Sequence, residues 1–312
     1  MIKVQDTAFA EYSVPDLDRM EAFLTDFGLT RAERSDDRLY MRGAGTRPYL
    51  HVSHRGEPGF VAYALMAGSA DDLGKIAGHA DATSGVEALD GPGGGRGVSL
   101  KMPNGITIKV VHGIAPAEEL PVREPLAINF GKTKNRTGAL QRPKMEPARV
   151  LRVGHCVFKC TDEPATRAWL QETLGMLESD ALHLPDDETK RLGTFLRCDR
   201  GEDWADHHTI LALSDESQNA IHHLSFETQD PDAVFIGHQW LIDKAKWHHE
   251  WGVGRHLLGS QVFDYWRDPW GHIVEHYADG DLLNASSKPG LYPATQENLA
   301  QWGPELTPTF FE

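Results

Sequence analysis

The sequence predicts an α+β protein made of two similar halves, each with a mixed, mostly antiparallel sheet that closes round a cavity. The first observation is an internal repeat, because segments 7–29 and 153–176 both show a strand pattern, a turn and an amphipathic helix pattern. The second is that MPNGITIK at 102–109 resembles DPWGHIVE at 268–275, with a charged residue four positions after the glycine in both. At 312 residues the chain is long enough for two domains of ordinary size.

The first helix of each half is bounded by residues that favour a helix start and a helix end. Asp16 and Asp162 stand at the N-cap positions, where a side-chain oxygen accepts a hydrogen bond from a free backbone N–H. Gly28 and Gly175 stand at the other ends, where the backbone often turns left-handed. We therefore expect one short helix after the first strand of each half.

The repeat and its connections divide the chain into four parts. Residues 1–130 are expected to form a non-catalytic domain, and residues 148–285 a catalytic, metal-binding domain. Between them, 131–147 is rich in Lys, Arg, Gly and Pro and has no periodicity, which is typical of a connector. The polar, proline-rich tail, 286–312, is expected to pack on the second domain.

Composition excludes several classes of partner. The net charge of −15 argues against nucleic acid or an anionic membrane, because both attract a basic surface. No apolar run approaches the ~20 residues that a helix needs to cross a bilayer, and no signal-peptide pattern precedes the first strand. Three cysteines do not make a disulfide framework in a chain of this length. We therefore expect a cytoplasmic protein.

Three strand-like segments of the second half carry a side chain that can bind metal. These side chains are His155, His223 and Glu275, whereas the matching positions of the first half hold Phe9, Ala62 and Lys109. Each of the three, taken alone, is more simply explained as a buried histidine or a paired carboxylate. Together, at matching points of a repeat, they indicate a metal site in the second half.

The ligand types indicate which metal this site prefers. Two imidazoles and one carboxylate, with no thiolate, suit an open-sided Fe(II), with Mn(II) as a possible substitute. Affinity alone would favour copper or zinc. On a regular strand His222 faces away from His223, so we expect only one of this pair to enter the site.

Five segments together resemble a known enzyme family. They are VGHCVFKC, DHHTILAL, AIHHLSFE, GVGRHLLGSQVFDY and DPWGHIVEHY. They resemble the type I extradiol ring-cleavage dioxygenases of the vicinal oxygen chelate superfamily, most strongly over 150–281. The resemblance implies two domains of paired βαβββ modules, Fe(II) in the second domain alone, and a homo-oligomer that is commonly a tetramer or larger. It also implies that O2 cleaves a catechol to a 2-hydroxymuconic semialdehyde-type product.

The resemblance also assigns catalytic roles. His208 matches the family's acid–base histidine, while His256 and Tyr265 match residues that hydrogen-bond the substrate's oxygens. These side chains can donate or accept a proton near neutral pH or hold an oxygen in place. His207 competes with His208, because the interval from His208 to His223 is one residue longer than expected.

The substrate pocket is expected to be largely apolar or aromatic. The candidate substrate-binding residues besides His256 and Tyr265 are Trp204, Phe226, Trp251 and Arg255. Arg255 could bind a substrate carboxylate or serve as a structural charge on a loop. We expect a neutral or weakly polar catechol, such as a methyl- or chlorocatechol, with trihydroxylated rings still open.

Three other functions are alternatives to ring cleavage of a catechol. An α-keto-acid dioxygenase of the same superfamily shares the metal triad but lacks the constellation of His208, His256 and Tyr265. A glyoxalase-like enzyme draws metal ligands from two modules, and the first half offers none of the right type. A non-enzymatic protein that sequesters an aromatic ligand would bind no iron.

Overall fold

A computed structural model describes residues 1–312, and its first half is one eight-stranded sheet with two helices. The elements of this half, in chain order, are β1 (Val4–Val14), α1 (Leu17–Phe27), β2 (Thr30–Arg34), β3 (Arg38–Arg42), β4 (His51–Arg55), β5 (Gly59–Ala67), α2 (Ala70–Ala77), β6 (Glu87–Ala88), β7 (Arg96–Lys101) and β8 (Thr107–His112). The strand order is β2-β3-β4-β1-β5-β8-β7-β6. The half is therefore two consecutive βαβββ modules, joined where β1 pairs with β5.

The second half repeats this plan in a nine-stranded sheet. Its elements are β9 (Val150–Cys160), α3 (Glu163–Leu174), β10 (Leu177–Leu184), β11 (Asp187–Arg197), β12 (Ala205–Asp206), β13 (Ile210–Ser214), β14 (Ala220–Thr228), α4 (Pro231–Lys244), β15 (His248–Arg255), β16 (Val262–Arg267), β17 (Ile273–Ala278), β18 (Leu282–Leu283), β19 (Gly290–Pro293) and α5 (Gln296–Leu299). The order is β15-β16-β17-β14-β9-β13-β11-β10-β19, while β12 and β18 pair separately. The predicted α+β fold of two mixed, mostly antiparallel sheets is confirmed.

The first helix of each half begins and ends where the sequence predicts. The Asp16 carboxylate accepts hydrogen bonds from two backbone N–H groups at the start of α1, and Asp162 accepts one from Ala165 at the start of α3. Gly28 and Gly175 follow the two helices with φ of 113° and 68°. A side chain is excluded at Gly28 for a second reason, because a Cβ there would lie 1.7 Å from the carbonyl oxygen of Ala148.

The two halves share one apolar core. A contiguous cluster of 42 buried residues contains side chains from both sheets. At the contact between halves, the His276 ring stacks on Phe27 with centroids 3.7 Å apart, and His276 Nε2 donates to the Phe27 carbonyl at 2.6 Å. The helices α1 and α4 also contact each other.

The tail, residues 286–312, adds a strand to the second sheet and contributes a buried side chain to the second half. Its strand β19 extends the second sheet by pairing in parallel with β10. Farther along, Phe310 is buried and packs with Trp251 and Tyr265. No helix of the structure combines the length and the apolar character that crossing a membrane requires.

Candidate active site and metal centre

Three neighbouring strands bring the predicted metal ligands together. His155 lies on β9, His223 on β14 and Glu275 on β17, and β14 is hydrogen-bonded to both other strands. Ser225 pairs across one ladder with His155 and across the other with Glu275, so all three side chains share a face of the sheet. One ligand atom from each of His155, His223 and Glu275 lies within 4.8 Å of the others.

The cluster is buried and held by short contacts. Nε2 of His155 lies 3.2 Å and Nε2 of His223 3.7 Å from Oε2 of Glu275. The Ser225 hydroxyl contacts both His155 Nε2, at 2.7 Å, and the Glu275 carboxylate. Burial raises the pKa of Glu275, but the adjacent imidazoles of His155, His256 and His223 outweigh it and hold the pKa well below its ordinary value. The glutamate is therefore an anion in the folded chain.

The unpaired atoms of the cluster fit a divalent cation. His223 Nε2, Glu275 Oε1 and His155 Nδ1 are buried without a hydrogen-bond partner. The His155 nitrogen that faces Glu275 is Nε2, 3.2 Å from Oε2. Each buried polar group left unpaired costs about 1–3 kcal/mol, so the unpaired atoms of His223 and Glu275 in this cluster need a compensating ligand. Two imidazole nitrogens and a carboxylate oxygen are a donor set for Fe(II) or Mn(II).

The first half has the same register but different side chains. Ala64 pairs with both Phe9 and Lys109, as Ser225 pairs with its two neighbours in the second half. The Lys109 ammonium lies 2.5 Å from the Glu11 carboxylate, so a side-chain cation stands where the second half has an anion. Ala62 offers no donor atom. The first half therefore lacks this metal-binding set, as the sequence comparison predicts.

The expectation that His222 faces away from the site was wrong. Strand β14 has a bulge at this point, because Ile221 pairs with Phe158 while His223 pairs with Val157, which leaves His222 without a partner. A bulge breaks the alternation of side chains along a strand. Both His222 and His223 consequently line the same cavity.

His222 determines which nitrogen of His223 faces the metal site. The Phe310 carbonyl, 2.8 Å from His222 Nε2, can only accept, so Nε2 carries the proton. Burial lowers the pKa of His222 to about 4, so its ring is neutral and Nδ1 accepts from His223 Nδ1–H at 2.7 Å. The lone pair of His223 is thereby left on Nε2. Sequence reasoning missed this role, and the doubled histidine was the only signal of it.

His208 rather than His207 lies in the cavity wall. The His208 ring centroid is 4.0 Å from that of His155, and the residue is 4% exposed. His207 lies behind it, with Nε2 2.7 Å from the Asp180 carboxylate and Nδ1 3.1 Å from His208 Nδ1. Burial, followed by the neighbouring His155 and His207, holds the pKa of His208 well below its ordinary value. The imidazole of His208 is therefore neutral.

His256 and Tyr265 form a hydrogen-bonded pair on another side of the cavity. Tyr265 lies on β16 directly opposite Glu275, and its hydroxyl is 2.9 Å from His256 Nε2. Burial and the Glu275 charge raise the pKa of Tyr265 well above its ordinary value, so the phenol stays protonated. Both residues line the cavity.

The cavity in front of these residues is largely apolar. No lysine or arginine lines it, and its walls come from the sheet and from the tail. Its large apolar side chains include Leu182, Phe195, Trp251, Leu258, Phe310 and Phe311. Trp251, one of the candidate substrate-binding residues, therefore lies in the cavity wall.

Three predicted pocket residues lie elsewhere. Phe226 follows Ser225 on β14 and therefore points to the opposite face, where its ring packs on Phe27. Trp204 is 59% exposed beside a separate surface pocket. Arg255 is tied to Asp279 at 2.9 Å and to a backbone carbonyl, outside the cavity. The prediction that these three residues line the pocket is therefore wrong. Their positions near the site in the sequence did not show on which face of the fold each side chain lies.

Paired βαβββ modules with a buried two-histidine, one-carboxylate cluster define a vicinal oxygen chelate protein. A scan against models of known families finds no match. Metapyrocatechase 2 of Cupriavidus necator is 30% identical over 303 residues, which cover 96% of this chain and 88% of that protein. The chain therefore belongs to the extradiol ring-cleavage dioxygenases, which are metal-dependent oxidoreductases.

Solved structures show the same fold. A Mn(II)-bound glyoxalase from Novosphingobium aromaticivorans is 22% identical with a TM-score of 0.79, and the match covers 100% of this chain and 98% of that one. A substrate complex of homoprotocatechuate 2,3-dioxygenase from Brevibacterium fuscum is 17% identical with a TM-score of 0.79, covering 99% of this chain and 92% of the other. At these identities the likeness concerns the fold alone.

Proposed function

We propose that this enzyme uses Fe(II) and O2 to open the ring of a catechol beside its two hydroxyl groups, giving a 2-hydroxymuconic semialdehyde-type product. The observation that carries the proposal is the buried cluster of donor atoms on His155, His223 and Glu275 beside an apolar cavity, in which His223 Nε2 and Glu275 Oε1 have no hydrogen-bond partner. The name metapyrocatechase, borne by a relative that matches 96% of this chain, supports the same reaction.

In this proposal the three ligands hold the metal on one side and leave the cavity side open. Bound there, Fe(II) would bring the diol and dioxygen side by side and carry electrons between them. Mn(II) is the second candidate, because the ligand set suits both ions and one protein of the same fold contains it.

The surrounding side chains would bind the substrate oxygens and transfer the protons of the reaction. We assign His256 and Tyr265 to a hydroxyl oxygen of the diol, because the Tyr265 hydroxyl and His256 Nε2 meet at the cavity surface. His208 lies next to His155 at another part of the wall and is neutral, so it can accept a proton there and return it later. His207 supports it from behind, through Nδ1.

The cavity wall indicates the class of catechol. Its apolar side chains can bury an alkyl or aryl substituent, which contributes about 25 cal/mol for each Å² of apolar surface removed from water. A carboxylated catechol would place an anion there with no lysine or arginine to meet it, which is costly. Arg255, the nearest candidate in the sequence, is already paired with Asp279. We therefore assign the enzyme to neutral, alkyl- or aryl-substituted catechols.

A catechol panel tests this function. Fe(II)-loaded protein under air should form a yellow ring-opened product from catechol and 3-methylcatechol, with one O2 consumed for each ring. With 3,4-dihydroxyphenylacetate, kcat/KM should fall at least ~10-fold, which corresponds to about 1.4 kcal/mol. A matched control is the same protein with Glu275→Gln. Release of CO2 from an α-keto acid without ring opening of any catechol would contradict the proposal.

The family resemblance also leads us to propose a homo-oligomer, which light scattering would show.

A further inference from the structure

A second cluster of two histidines and one carboxylate lies on the outer face of the second sheet. His238 projects from α4, His249 from β15 and Asp264 from β16, and one ligand atom from each lies within 4.8 Å of the others. His238 Nδ1 and His249 Nε2 lie 3.0 Å and 2.8 Å from the same oxygen, Oδ1 of Asp264. Three separate elements therefore converge on one carboxylate oxygen.

This cluster is separated from the catalytic cavity by the sheet itself. Asp264 and Tyr265 are consecutive on β16, so their side chains point to opposite faces. Tyr265 pairs with Glu275 on the cavity side, while Asp264 pairs with His276 on the side covered by α4. None of the three cluster residues lines the cavity. Ligand exchange here would be independent of the catalytic centre.

The surroundings of Asp264 orient it as a ligand. The side chain is fully buried, and its second oxygen, Oδ2, accepts a hydrogen bond from Trp266 Nε1 at 2.6 Å. That bond directs Oδ1 toward the two imidazoles. Metal-binding side chains commonly have such supporting hydrogen bonds, because these fix the orientation of the donor atoms. Nδ1 of His276, on the same face of the neighbouring strand, is buried without a partner.

The imidazoles leave an entrance for an ion. The side chains of His238 and His249 are 25% and 26% exposed, whereas the ligands of the catalytic cluster are at most 7% exposed. Without an ion, the ring N–H groups can donate to Oδ1. An ion that replaces these protons would bind the same nitrogens and the same oxygen and release protons to solvent.

We propose that His238, His249 and Asp264 bind a second divalent transition-metal ion of the zinc type. Two imidazole nitrogens, one carboxylate oxygen and one water complete the four-coordinate shell that zinc prefers. Bound there, the ion links α4 to the hairpin of β15 and β16, so its role is to hold the helix against the sheet.

Zinc stoichiometry tests this site without reference to ring cleavage. Tag-free protein is stripped with a chelator, dialysed against micromolar Zn²⁺ and washed, and bound zinc is counted per chain by mass spectrometry. The wild type should hold two equivalents. The Glu275→Gln variant, which disables the catalytic cluster, should keep the zinc of the second cluster, and adding His249→Ala should remove one equivalent from either background.

Two further variants provide controls. His248→Ala removes a neighbouring histidine whose side chain is 65% exposed and which is not part of the cluster, so it should change nothing. Asp264→Asn keeps the shape of the buried side chain and should also lose one equivalent, with circular dichroism showing the native fold. Zn²⁺ should raise the melting temperature of Glu275→Gln but not of Glu275→Gln/His249→Ala. A Glu275→Gln protein that holds no zinc, or a His249→Ala protein that loses none, would overturn the proposal.

Discussion

The hydroxyl of Tyr265 donates to Nε2 of His256 across 2.9 Å. The direction of this bond is set from the tail, because the carbonyl of Leu299 accepts from His256 Nδ1–H at 2.8 Å and leaves the lone pair on Nε2. The tail thus orients a residue at the proposed substrate site through its backbone.

Tyr265→Phe removes this hydroxyl and keeps the ring that stacks on Trp251 with centroids 5.6 Å apart. We expect kcat/KM for catechol to fall about 10-fold, because one hydrogen bond to a substrate oxygen contributes about 0.5–1.5 kcal/mol. Steady-state oxygen uptake measures the change. Tyr63→Phe is the matched control, since Tyr63 is equally buried but donates to the Thr209 carbonyl outside the cavity. Equal effects of the two changes would argue against the proposed role.

Glu275→Gln or His155→Ala should weaken iron binding at least ~100-fold, more than the loss of a supporting hydrogen bond, because a direct ligand is removed. Iron retained after gel filtration measures this. Glu11→Gln is the control, because Glu11 is a similarly buried carboxylate of the first half, paired with Lys109. Iron lost equally from all three variants would point to general unfolding rather than to ligand loss.

His208→Phe should retain iron and lower kcat by about 10²–10⁴-fold, because proton transfer in the cavity loses its group. His207→Phe should have a smaller effect, since His207 contacts His208 rather than the cavity. Single-turnover kinetics with preloaded iron separates these effects from binding. A larger loss in His207→Phe would transfer the acid–base role to that residue.

Deleting residues 306–312 removes three side chains of the cavity wall and the Phe310 carbonyl that accepts from His222. We expect KM for catechol to rise and iron affinity to fall about 10–100-fold, because His222, which orients His223, loses the acceptor that fixes its own tautomer. Phe310→Leu is the control for iron binding, since it keeps the backbone carbonyl. Iron affinity unchanged by the deletion would rule out orientation of His223 by the tail.

Because His51 is buried, we predict that the free energy of unfolding depends on pH through this residue, independently of the metal. The residue is 1% exposed, and burial lowers its pKa to about 3 from 6.5. As pH falls below 6.5, the unfolded chain takes up this proton first, so the native state loses about 1.4 kcal/mol of stability per pH unit from this residue. The loss is complete only below the folded pKa.

His51→Gln removes the titrating group and keeps a hydrogen-bonding side chain beside Ser53. In urea unfolding between pH 7 and pH 5, the stability difference between wild type and variant should therefore shrink as the pH falls. A constant difference over this range would show that His51 takes up its proton as readily in the native state as in the unfolded chain.

The repeat and the metal triad could be predicted because both depend on local pattern. The strand that carries His155 and the strand that carries Glu275 have matching positions in the first half, and the paired strands keep those positions in register. A register of this kind determines which side chains share a face. The caps at Asp16 and Gly28 are equally local, since each involves groups within one helical turn.

For the remaining side chains of the site, only the tertiary structure determined which face of the sheet each one lies on and which residues it contacts. The bulge at His222 arises from pairing with β9, and no feature of the sequence marks the residue that is left unpaired. His208 is distinguished from His207 only once the loop before β13 is placed against β9. The exclusion of Phe226 and Arg255 from the cavity and the entry of the tail depend in the same way on contacts distant in sequence. The local sequence pattern therefore determined the repeat and the metal ligands. Packing against segments distant in sequence determined which residues line the cavity.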